Sequence, residues 1–282
     1  MRSVCFTEDG KPELIEIPKP KLLSPNDVMI RVKYCAICGD ERGYVDGKLR
    51  GDARIMPLGH EISGTIEAIG RNVLYKNLSV GDRVTGNYAN YCGRCYYCET
   101  GRRQLCRNAV WHMNCMAEYV VWNERQCYKI PESVSMEQAC LTEPLTCCIR
   151  AMEEAGVTTG SRVAIFGAGG IGLMMLQLAK LSGAAEVMVI EPIAARRKFA
   201  RELGADLVLD PCRDNIYKEG ALFSKSYGFD VVFEASGSTD AVQPALGITG
   251  SGGMLILFSL YKGDYNHSLN LSVFFFIDIS IK

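Results

Sequence analysis

The sequence lacks the features that mark a membrane protein, a secreted protein or a nucleic-acid-binding protein. Its formal net charge is −1, so there is no basic excess to attract nucleic acid or an acidic membrane surface. Its most apolar runs, residues 171–179 and 273–281, are far shorter than the roughly 20 residues needed to span a bilayer. Residues 1–11 contain no apolar signal segment, and no repeat or low-complexity segment is present. We therefore expect a small-molecule partner, with neither nucleic acid nor a membrane as a partner.

Cysteine, in contrast, is plentiful. The 282 residues include 13 cysteines, an odd number, which is typical of a reducing compartment where thiols are available for metal. We therefore expect a cytoplasmic protein.

Four of the cysteines, Cys92, Cys95, Cys98 and Cys106, have the spacing C-x2-C-x2-C-x7-C. A short loop with this spacing can hold four thiolates tetrahedrally around zinc at about 2.3 Å, and a closed all-cysteine shell leaves no position for substrate. The pattern therefore predicts a structural zinc site. Disulfides or unbound buried thiols are the alternatives. The glycines and arginines of the segment indicate an exposed loop, where four unbound cysteines would be a liability.

The chain is long enough for two domains, each with its own core. Up to about Cys147, short β-type runs are divided by Gly, Pro, Asn and Asp, which is typical of an irregular β-rich domain. From about Ser161, short apolar strands alternate with helical stretches, which predicts a doubly wound α/β sheet with right-handed crossovers. The pattern is interrupted at residues 152–160, so we predict domains at residues 1–150 and 151–282.

The predicted strands are residues 28–34, 61–69, 83–86, 117–121, 162–166, 186–190, 206–209, 229–234 and 254–258. The predicted helices are residues 171–181, 194–203 and 239–246.

Residues 163–166 lead directly into a glycine-rich turn and then a predicted helix. The turn has the pattern G-x-G-x-x-G in the strand, turn and helix context that a dinucleotide site requires. Gly167 permits the tight turn, Gly169 lets backbone amides approach a pyrophosphate, and Gly172 lets the helix pack on the strand. A glycine turn without a ligand is the alternative. The predicted cofactor-binding residues of the turn are Gly167, Gly169, Gly170, Ile171 and Gly172.

The second strand of this unit ends at Glu191. A carboxylate there can accept hydrogen bonds from the ribose hydroxyls of NAD and would repel the 2′-phosphate of NADP. Arg196 and Arg197 favour the opposite choice, because arginine just beyond the acid can cradle a 2′-phosphate, although such arginines are more often a solvated helix face. We predict NAD rather than NADP, bound by Glu191 and Arg196.

A second metal site is a hypothesis that local spacing leaves open. Cys38 and His60 lie at turns, and Glu143 precedes a proline. One thiolate, one imidazole and one carboxylate would leave the fourth zinc position open for water or an alcohol, which is the form of a catalytic site. Taken singly, these residues could be a buried cysteine, a core histidine and a helix-start glutamate.

Further motifs are spread along the chain. They are residues 35–39, Gly-His-Glu at 59–61 with Gly64 and Gly70, Val-Gly-Asp-Arg-Val at 80–84, Ala-Glu-Tyr-Val at 117–120, Glu-Pro-Leu at 143–145 and Val-Phe-Glu-Ala-Ser-Gly at 232–237. Together with the four-cysteine segment and the glycine turn, these motifs match those of a known enzyme family in order and spacing, almost from one end of the chain to the other. The chain resembles the zinc-dependent medium-chain dehydrogenase/reductase family, and most of all its polyol (sorbitol) and threonine dehydrogenase branch.

The resemblance implies an α/β protein, with a GroES-like β-rich catalytic domain followed by a Rossmann coenzyme domain and a site in the cleft between them. It implies that Cys38, His60 and Glu143 bind a catalytic zinc ion and that Glu61 is a nearby group able to approach it. Because the resemblance makes Cys38 the ligand, it implies a structural role for the neighbouring Cys35. We expect two zinc ions per chain, one catalytic and one structural.

The chain departs from the family in two places. Asp40 stands where the family usually carries Ser or Thr as a proton relay, so the relay is rearranged or missing. We hypothesise that Asp40 is an acid/base group or pairs with a cationic substrate; a local hydrogen bond in its turn is the alternative. Family chains also normally continue beyond the segment that resembles residues 274–282. We therefore expect a truncated Rossmann domain with an incomplete edge for the family's homo-oligomer, exposed apolar groups and weak activity.

We predict NAD-dependent oxidation of a secondary alcohol to a ketone, and the reverse, with sugar alcohols, cyclitols or aminocyclitols as substrates. Zinc would act as a Lewis acid on the hydroxyl, and hydride would pass to nicotinamide. The alternatives are a primary-alcohol or threonine-type dehydrogenase, or a truncated non-catalytic remnant that keeps the zinc lobe and acts by binding.

Overall fold

The computed structural model describes residues 1–6, 11–39, 41, 56–261 and 277–282. The chain forms two compact units, Met1–Pro144 and Leu145–Lys282. The sequence pattern predicts this division at residue 150, which lies inside the continuous helix Thr142–Ala155. None of the helices in the described ranges has the length and apolarity that a membrane crossing requires.

The first unit consists of short antiparallel strands. They are β1 (Arg2–Phe6), β2 (Pro12–Glu16), β3 (Asp27–Ala36), β4 (Met56–Pro57), β5 (Glu61–Ile69), β6 (Arg83–Gly86), β7 (Ala89–Asn90), β8 (Val110–Trp111), β9 (Tyr119–Asn123) and β10 (Cys127–Lys129). Three strands pair in the order β2-β1-β4, five pair in the order β10-β6-β5-β3-β9, and β7 and β8 form a two-stranded ribbon. The predicted β-rich character of this part of the chain is confirmed.

The five-stranded sheet carries the core of the first unit. Val28, Ile30, Ile62, Ile66 and Trp122 are almost completely buried on it. Successive residues of a strand point to opposite faces, so the alternate apolar residues of β3 share one face of the sheet. Burying each such side chain contributes about 1.5–3 kcal/mol to folding.

The helical segments of this unit are short. They are three-ten turns at Tyr75–Asn77, Arg103–Leu105 and Glu124–Gln126 and helices α1 (Tyr96–Glu99) and α2 (Met136–Ala139). A capping box starts α2: Ser135 Oγ accepts from Gln138 N, and the Gln138 side chain accepts from Ser135 N. Helix α3 (Thr142–Ala155) begins in the last residues of this unit and continues in the second.

The second unit contains a six-stranded parallel sheet. Its strands are β11 (Arg162–Phe166), β12 (Glu186–Ile190), β13 (Leu207–Leu209), β14 (Phe229–Glu234), β15 (Thr249–Leu257) and β16 (Ser280–Ile281). Its further helices are α4 (Gly170–Leu181), α5 (Ala194–Glu202), α6 (Ile216–Phe223) and α7 (Thr239–Ile248). The strand order is β13-β12-β11-β14-β15-β16, and all neighbours are parallel. The connections therefore change direction between β11 and β14, where doubly wound sheets bind dinucleotides.

Both faces of this sheet are covered. Val163 and Ile165 of β11 belong to a buried cluster with Met175 of α4, whereas Ala164 and Phe166 belong to a second cluster that includes residues of α7. A strand buried on both faces is continuously apolar, which explains the unbroken apolar runs in the sequence. The predicted doubly wound fold is confirmed.

Several elements differ from the sequence-based predictions. The strand predicted at residues 117–121 lies at Tyr119–Asn123, and the elements that were not predicted include helix α3 and the short strands β1, β2, β4, β7, β8 and β10. Helix α6 was missed, although Asn215, whose side chain accepts from Lys218 N, is a recognisable helix start. The apolar run 273–281 lies mainly outside the described residues, and Ser280–Ile281 pairs with β15.

Candidate functional site

The four cysteines of the C-x2-C-x2-C-x7-C segment meet in one cluster. Their Sγ atoms are separated by 3.5 Å (Cys92 and Cys106), 3.6 Å (Cys95 and Cys98), 3.8 Å (Cys95 and Cys106) and 4.0 Å (Cys92 and Cys98). Sulfurs placed tetrahedrally at about 2.3 Å from a common zinc ion lie about 3.8 Å apart. The cluster therefore fits a closed tetrahedral zinc site.

The backbone of this lobe prepares two of the thiols for metal. A hydrogen bond from the Arg94 backbone N–H lowers the pKa of Cys92 to about 6, and one from the Cys98 N–H lowers the pKa of Cys95. Burial raises the pKa of Cys98 to about 12. The lowered pKa values of Cys92 and Cys95 favour the thiolate, which is the form that binds metal.

Cys38, His60 and Glu61 form a second cluster that could hold a metal ion. Their ligand atoms all lie within 4.8 Å of one another, and His60 and Glu61 are buried. The pairing of β3 with β5 explains the meeting, because Ala36 near the end of β3 lies opposite Glu61 at the start of β5. Cys38 follows β3 by two residues and His60 precedes β5 by one, so both lie at the same end of the strand pair.

Glu143, the predicted third ligand, lies in the first turn of α3 and is half-buried. Among the residues that the structure describes, the metal-capable cluster contains Glu61 and not Glu143. Glu61 Oε1 lies 4.0 Å from His60 Nε2. The structure thus brings three of the four sequence-predicted groups together, and the role of Glu143 as a ligand stays a prediction. Asp40 lies outside the described residues.

Glu41 is a site residue that sequence analysis missed. Its side chain is buried, and its carboxylate accepts hydrogen bonds from Cys38 N at 3.1 Å and Gly59 N at 2.6 Å. Oε1 also lies 3.7 Å from His60 Nδ1. A carboxylate behind a ligating histidine commonly orients the ring. The position of Glu41 three residues after Cys38, within the same turn, is the sequence feature that could have identified it as a site residue.

Cys35 is half-buried beside Gly59. Its Sγ lies so close to Gly59 that a Cβ there would come within 2.7 Å of it. Burial first, and then the Glu41 carboxylate, raise the pKa of Cys35 to about 12. A thiol that holds its proton this firmly suits the structural role predicted for it.

An aromatic row extends from His60. The Tyr88 ring lies 4.6 Å from the His60 ring, and the Trp111 ring lies 5.3 Å from Tyr88. The β7–β8 ribbon holds the row in place, because Ala89 pairs with Trp111 and His112 N donates to Tyr88 O. Trp111 is half exposed, so the row forms an apolar wall from the cluster toward solvent.

The glycine turn in the second unit has the geometry that the motif predicts. Gly167 has φ of +96°, in the left-handed region that favours glycine. A Cβ at Gly172 would lie 1.9 Å from Gly167 O, so only glycine allows α4 to approach the turn this closely. Gly169 precedes the first turn of α4, and open space surrounds it and Gly170. Backbone N–H groups at the start of α4, including that of Ile171, are thus placed to meet an anion.

Glu191 follows β12 directly and is buried. Its Oε2 accepts from Ala168 N at 2.7 Å and its Oε1 accepts from Ile193 N at 2.9 Å. Arg196 Nη1 lies 3.9 Å from Glu191 Oε2, and its side chain is half exposed. The structure therefore joins Glu191, Arg196 and the glycine turn in one place.

Arg197 has a different position from Arg196. It donates to Glu191 O at 2.8 Å and Pro192 O at 2.7 Å, and it forms an ion pair with Asp210 at 2.9 Å. These contacts stabilise the turn after β12, so Arg197 is a structural residue of the site.

Comparisons with known proteins agree with this geometry. The chain matches the family described as "Alcohol dehydrogenase GroES-like domain" over residues 24–132 and the one described as "Zinc-binding dehydrogenase" over residues 170–282. It is 34% identical to the L-threonine 3-dehydrogenase of Pyrococcus horikoshii over 270 residues, which are 93% of this chain and 76% of that protein. It is 34% identical to the D-arabitol-phosphate dehydrogenase of Enterococcus avium over 83% of this chain and 68% of that protein.

Solved structures are similar throughout the chain. A protein described as a zinc-binding dehydrogenase from Clostridium scindens superposes with a TM-score of 0.93 at 29% identity, covering 100% of this chain and 84% of that chain. One from Sinorhizobium meliloti, bound to NADP, has a TM-score of 0.88 at 29% identity, and the match covers 99% of this chain and 82% of that chain. An alcohol dehydrogenase from Escherichia coli, complexed with NADH, has a TM-score of 0.87 at 25% identity, and the match covers 100% of this chain and 82% of that chain.

The two metal-capable clusters and the dinucleotide turn define an oxidoreductase. The chain belongs to the zinc-dependent medium-chain dehydrogenase family, in its polyol and threonine dehydrogenase branch.

The two clusters predict two zinc ions per chain with different roles. Cys95→Ser should unfold the lobe and lower solubility, because three thiolates cannot close the shell, whereas Cys38→Ser should keep the fold and abolish turnover. Elemental analysis and thermal unfolding of each variant measure these outcomes. Cys212→Ser, at an exposed cysteine outside both clusters, is the control. A well-folded wild-type protein with at most one zinc ion per chain would contradict the prediction.

Glu41→Gln should weaken metal binding at the Cys38 and His60 cluster by about 10–100-fold, because the uncharged side chain no longer supports the histidine. Competition with a zinc chelator measures the affinity. Glu124→Gln is the matched control, since Glu124 is also buried and accepts from two backbone N–H groups, Leu74 and Tyr75, outside the cluster. Equal metal affinity in Glu41→Gln and wild type would remove Glu41 from the site.

Proposed function

We propose that this chain transfers hydride between a secondary alcohol and NAD, with sugar alcohols, cyclitols or aminocyclitols as the substrate class. The observation that carries the proposal is the Cys38, His60 and Glu61 cluster, which has a mixed donor set and lies beside an apolar wall. The all-cysteine cluster is closed, whereas the mixed cluster has a donor set that leaves a position for substrate.

Zinc bound at the mixed cluster supplies a Lewis acid that makes an alcohol hydroxyl easier to deprotonate. Cys38 would hold the ion through Sγ and His60 through a ring nitrogen. Glu143 would complete the ligand set and Glu61 would lie next to it. Glu41 keeps the two ligating segments together through Cys38 N and Gly59 N. Asp40 is the proposed acid/base group, or the partner of an ammonium group on the substrate.

The substrate class is supported by the wall of the site. The Tyr88 and Trp111 rings suit the carbon backbone of a polyol, whose hydroxyl can face the polar cluster. The name of the Enterococcus relative, a D-arabitol-phosphate dehydrogenase, favours the same class.

A threonine-type dehydrogenase is the second candidate. The Pyrococcus relative with that name aligns with 93% of this chain. Threonine is itself a secondary alcohol with an ammonium group, so the two candidates share the reaction and differ in the substrate that the site accepts.

NAD is the proposed cofactor rather than NADP. Glu191 is held at the glycine turn by Ala168 N, where a second negative charge from a 2′-phosphate would be repelled. Arg196 and the NADP-bound Sinorhizobium structure favour the alternative. We also propose two zinc ions per chain, and a cytoplasmic location because free thiols are typical of a reducing compartment.

The test is a screen of the zinc-loaded protein with NAD against polyols, aminocyclitols, primary alcohols and L-threonine, followed by NADH absorbance. Turnover of polyols or cyclitols above the other classes is the expected result, with Cys38→Ser as the inactive control. Zinc and NADH binding without turnover of any alcohol would favour the non-catalytic alternative.

Glu191→Ser should shift the preference from NADH toward NADPH by on the order of 1–3 kcal/mol, because a hydrogen-bonding charge is removed. Titration of each dinucleotide by fluorescence gives both affinities. Glu186→Ser, at the opposite end of β12, is the matched control and should change neither the NADH affinity nor the NADPH affinity. A wild-type protein that binds NADPH more tightly than NADH would overturn the NAD assignment.

A further inference from the structure

A buried carboxylate in the second unit has no part in the chemistry described so far. Glu234 is the last residue of β14, and its side chain is completely buried. Glutamate is almost never fully buried unless its charge has partners. The partners of Glu234 therefore indicate why the charge is retained there.

Within the described ranges, three neutral groups donate to the Glu234 carboxylate. Oε1 accepts from Ser236 N at 2.8 Å and from Ser236 Oγ, and Oε2 accepts from the Tyr261 hydroxyl. Burial, and then the hydrogen bond to Glu234, raise the pKa of Tyr261, so this hydroxyl keeps its proton and donates. One carboxylate thus holds the segment after β14 and the segment after β15.

The same carboxylate reaches the glycine turn through Ser236. Gly167 is so close to Ser236 that a Cβ at Gly167 would lie 2.9 Å from Ser236 Cα. Ala235 N also donates to Phe166 O at 2.9 Å, and Phe258 N donates to Glu234 O at 2.9 Å. The segments that follow β11, β14 and β15 are therefore joined around Glu234.

Two of these segments, those after β11 and β14, flank the point where the strand order changes direction, and the segment after β15 lies next to them. A dinucleotide binds across this point, one half over each half of the sheet. Glu191 and the glycine turn belong to the half formed by β11, β12 and β13, which takes the adenosine and pyrophosphate. The segments after β14 and β15 belong to the other half, which takes the nicotinamide riboside.

We propose that Glu234 is a positioning residue for the nicotinamide half of the cofactor, acting through Ser236 and Tyr261. This inference rests on the proposed use of a nicotinamide dinucleotide. Both carboxylate oxygens accept hydrogen bonds, Oε1 from Ser236 and Oε2 from Tyr261, whereas a glutamine amide of the same size would present an acceptor to one of these residues and an NH2 group to the other. Glu234→Gln therefore replaces the hydrogen bonds to a charged group by weaker neutral ones, with little change in the volume of the side chain.

The test measures binding rather than turnover. Wild type, Glu234→Gln and Tyr261→Phe are titrated with NADH by fluorescence and with ADP by calorimetry; ADP carries the adenosine and both phosphates but lacks the nicotinamide riboside. The matched controls lie at the opposite end of the same strand. Asp230→Asn removes a charge from β14 near its start, and Tyr227→Phe removes an exposed hydroxyl just before it.

We expect Glu234→Gln and Tyr261→Phe to weaken NADH binding about tenfold, the scale of one hydrogen bond to a charged group, while ADP affinity changes less than about twofold. Both controls should bind NADH and ADP as wild type does. Tyr261→Phe removes a single oxygen from a partly exposed side chain, so it tests the proposal even if Glu234→Gln unfolds.

Two results would overturn this inference and leave the proposed function intact. The first is unchanged NADH affinity in Tyr261→Phe. The second is an equal loss of NADH and ADP affinity in the variants, which would indicate a general role in stability. A wild-type protein that binds ADP but neither NADH nor NADPH would instead refute the proposed function, and this inference with it.

Discussion

The antiparallel pairing of β3 with β5 is the constraint on which the metal cluster depends. Ala36 lies opposite Glu61, so Cys38 beyond one strand and His60 before the other are brought to the same end of the sheet. A slip of one residue would turn the side chains of a strand to the opposite face. The buried Val28, Ile30, Ile62 and Ile66 prevent such a slip, because it would expose them. The packing of the core and the assembly of the metal cluster thus both require the same register between β3 and β5.

Buried carboxylates complete both units in a similar way. Glu41 joins Cys38 N to Gly59 N in the first unit, and Glu234 joins Ser236 to Tyr261 in the second. In each case one charged group holds two segments that are distant in the chain. A buried charge with several donors is costly to disturb, since removing it leaves those donors without a partner. Both carboxylates therefore hold their two segments together through hydrogen bonds.

The two metal-capable clusters differ in how they form. The four cysteines all lie within residues 92–106, and their Sγ atoms are 3.5 to 4.0 Å apart for the measured pairs. Because the loop is short, little chain entropy is lost when it closes. The Cys38 cluster instead depends on strand pairing, and its buried His60 lies against the Tyr88 ring. The first cluster therefore depends on local loop closure and the second on the register of the sheet.

The sequence by itself determined the features whose physics is local. The spacing of Cys92, Cys95, Cys98 and Cys106 predicts their cluster, and the unbroken apolar runs beside Gly167 predict a sheet buried on both faces, with several strand bounds correct to the residue. The division at Pro144 and the distant hydrogen-bond partners of Glu41 and Glu234 were decided by tertiary structure. Each buried carboxylate has a nearby donor, Cys38 for Glu41 and Ser236 for Glu234, and a distant one. The distant donors are Gly59, 18 residues from Glu41, and Tyr261, 27 residues from Glu234. No local pattern reports such partners, because only the folded strands bring them within hydrogen-bond distance.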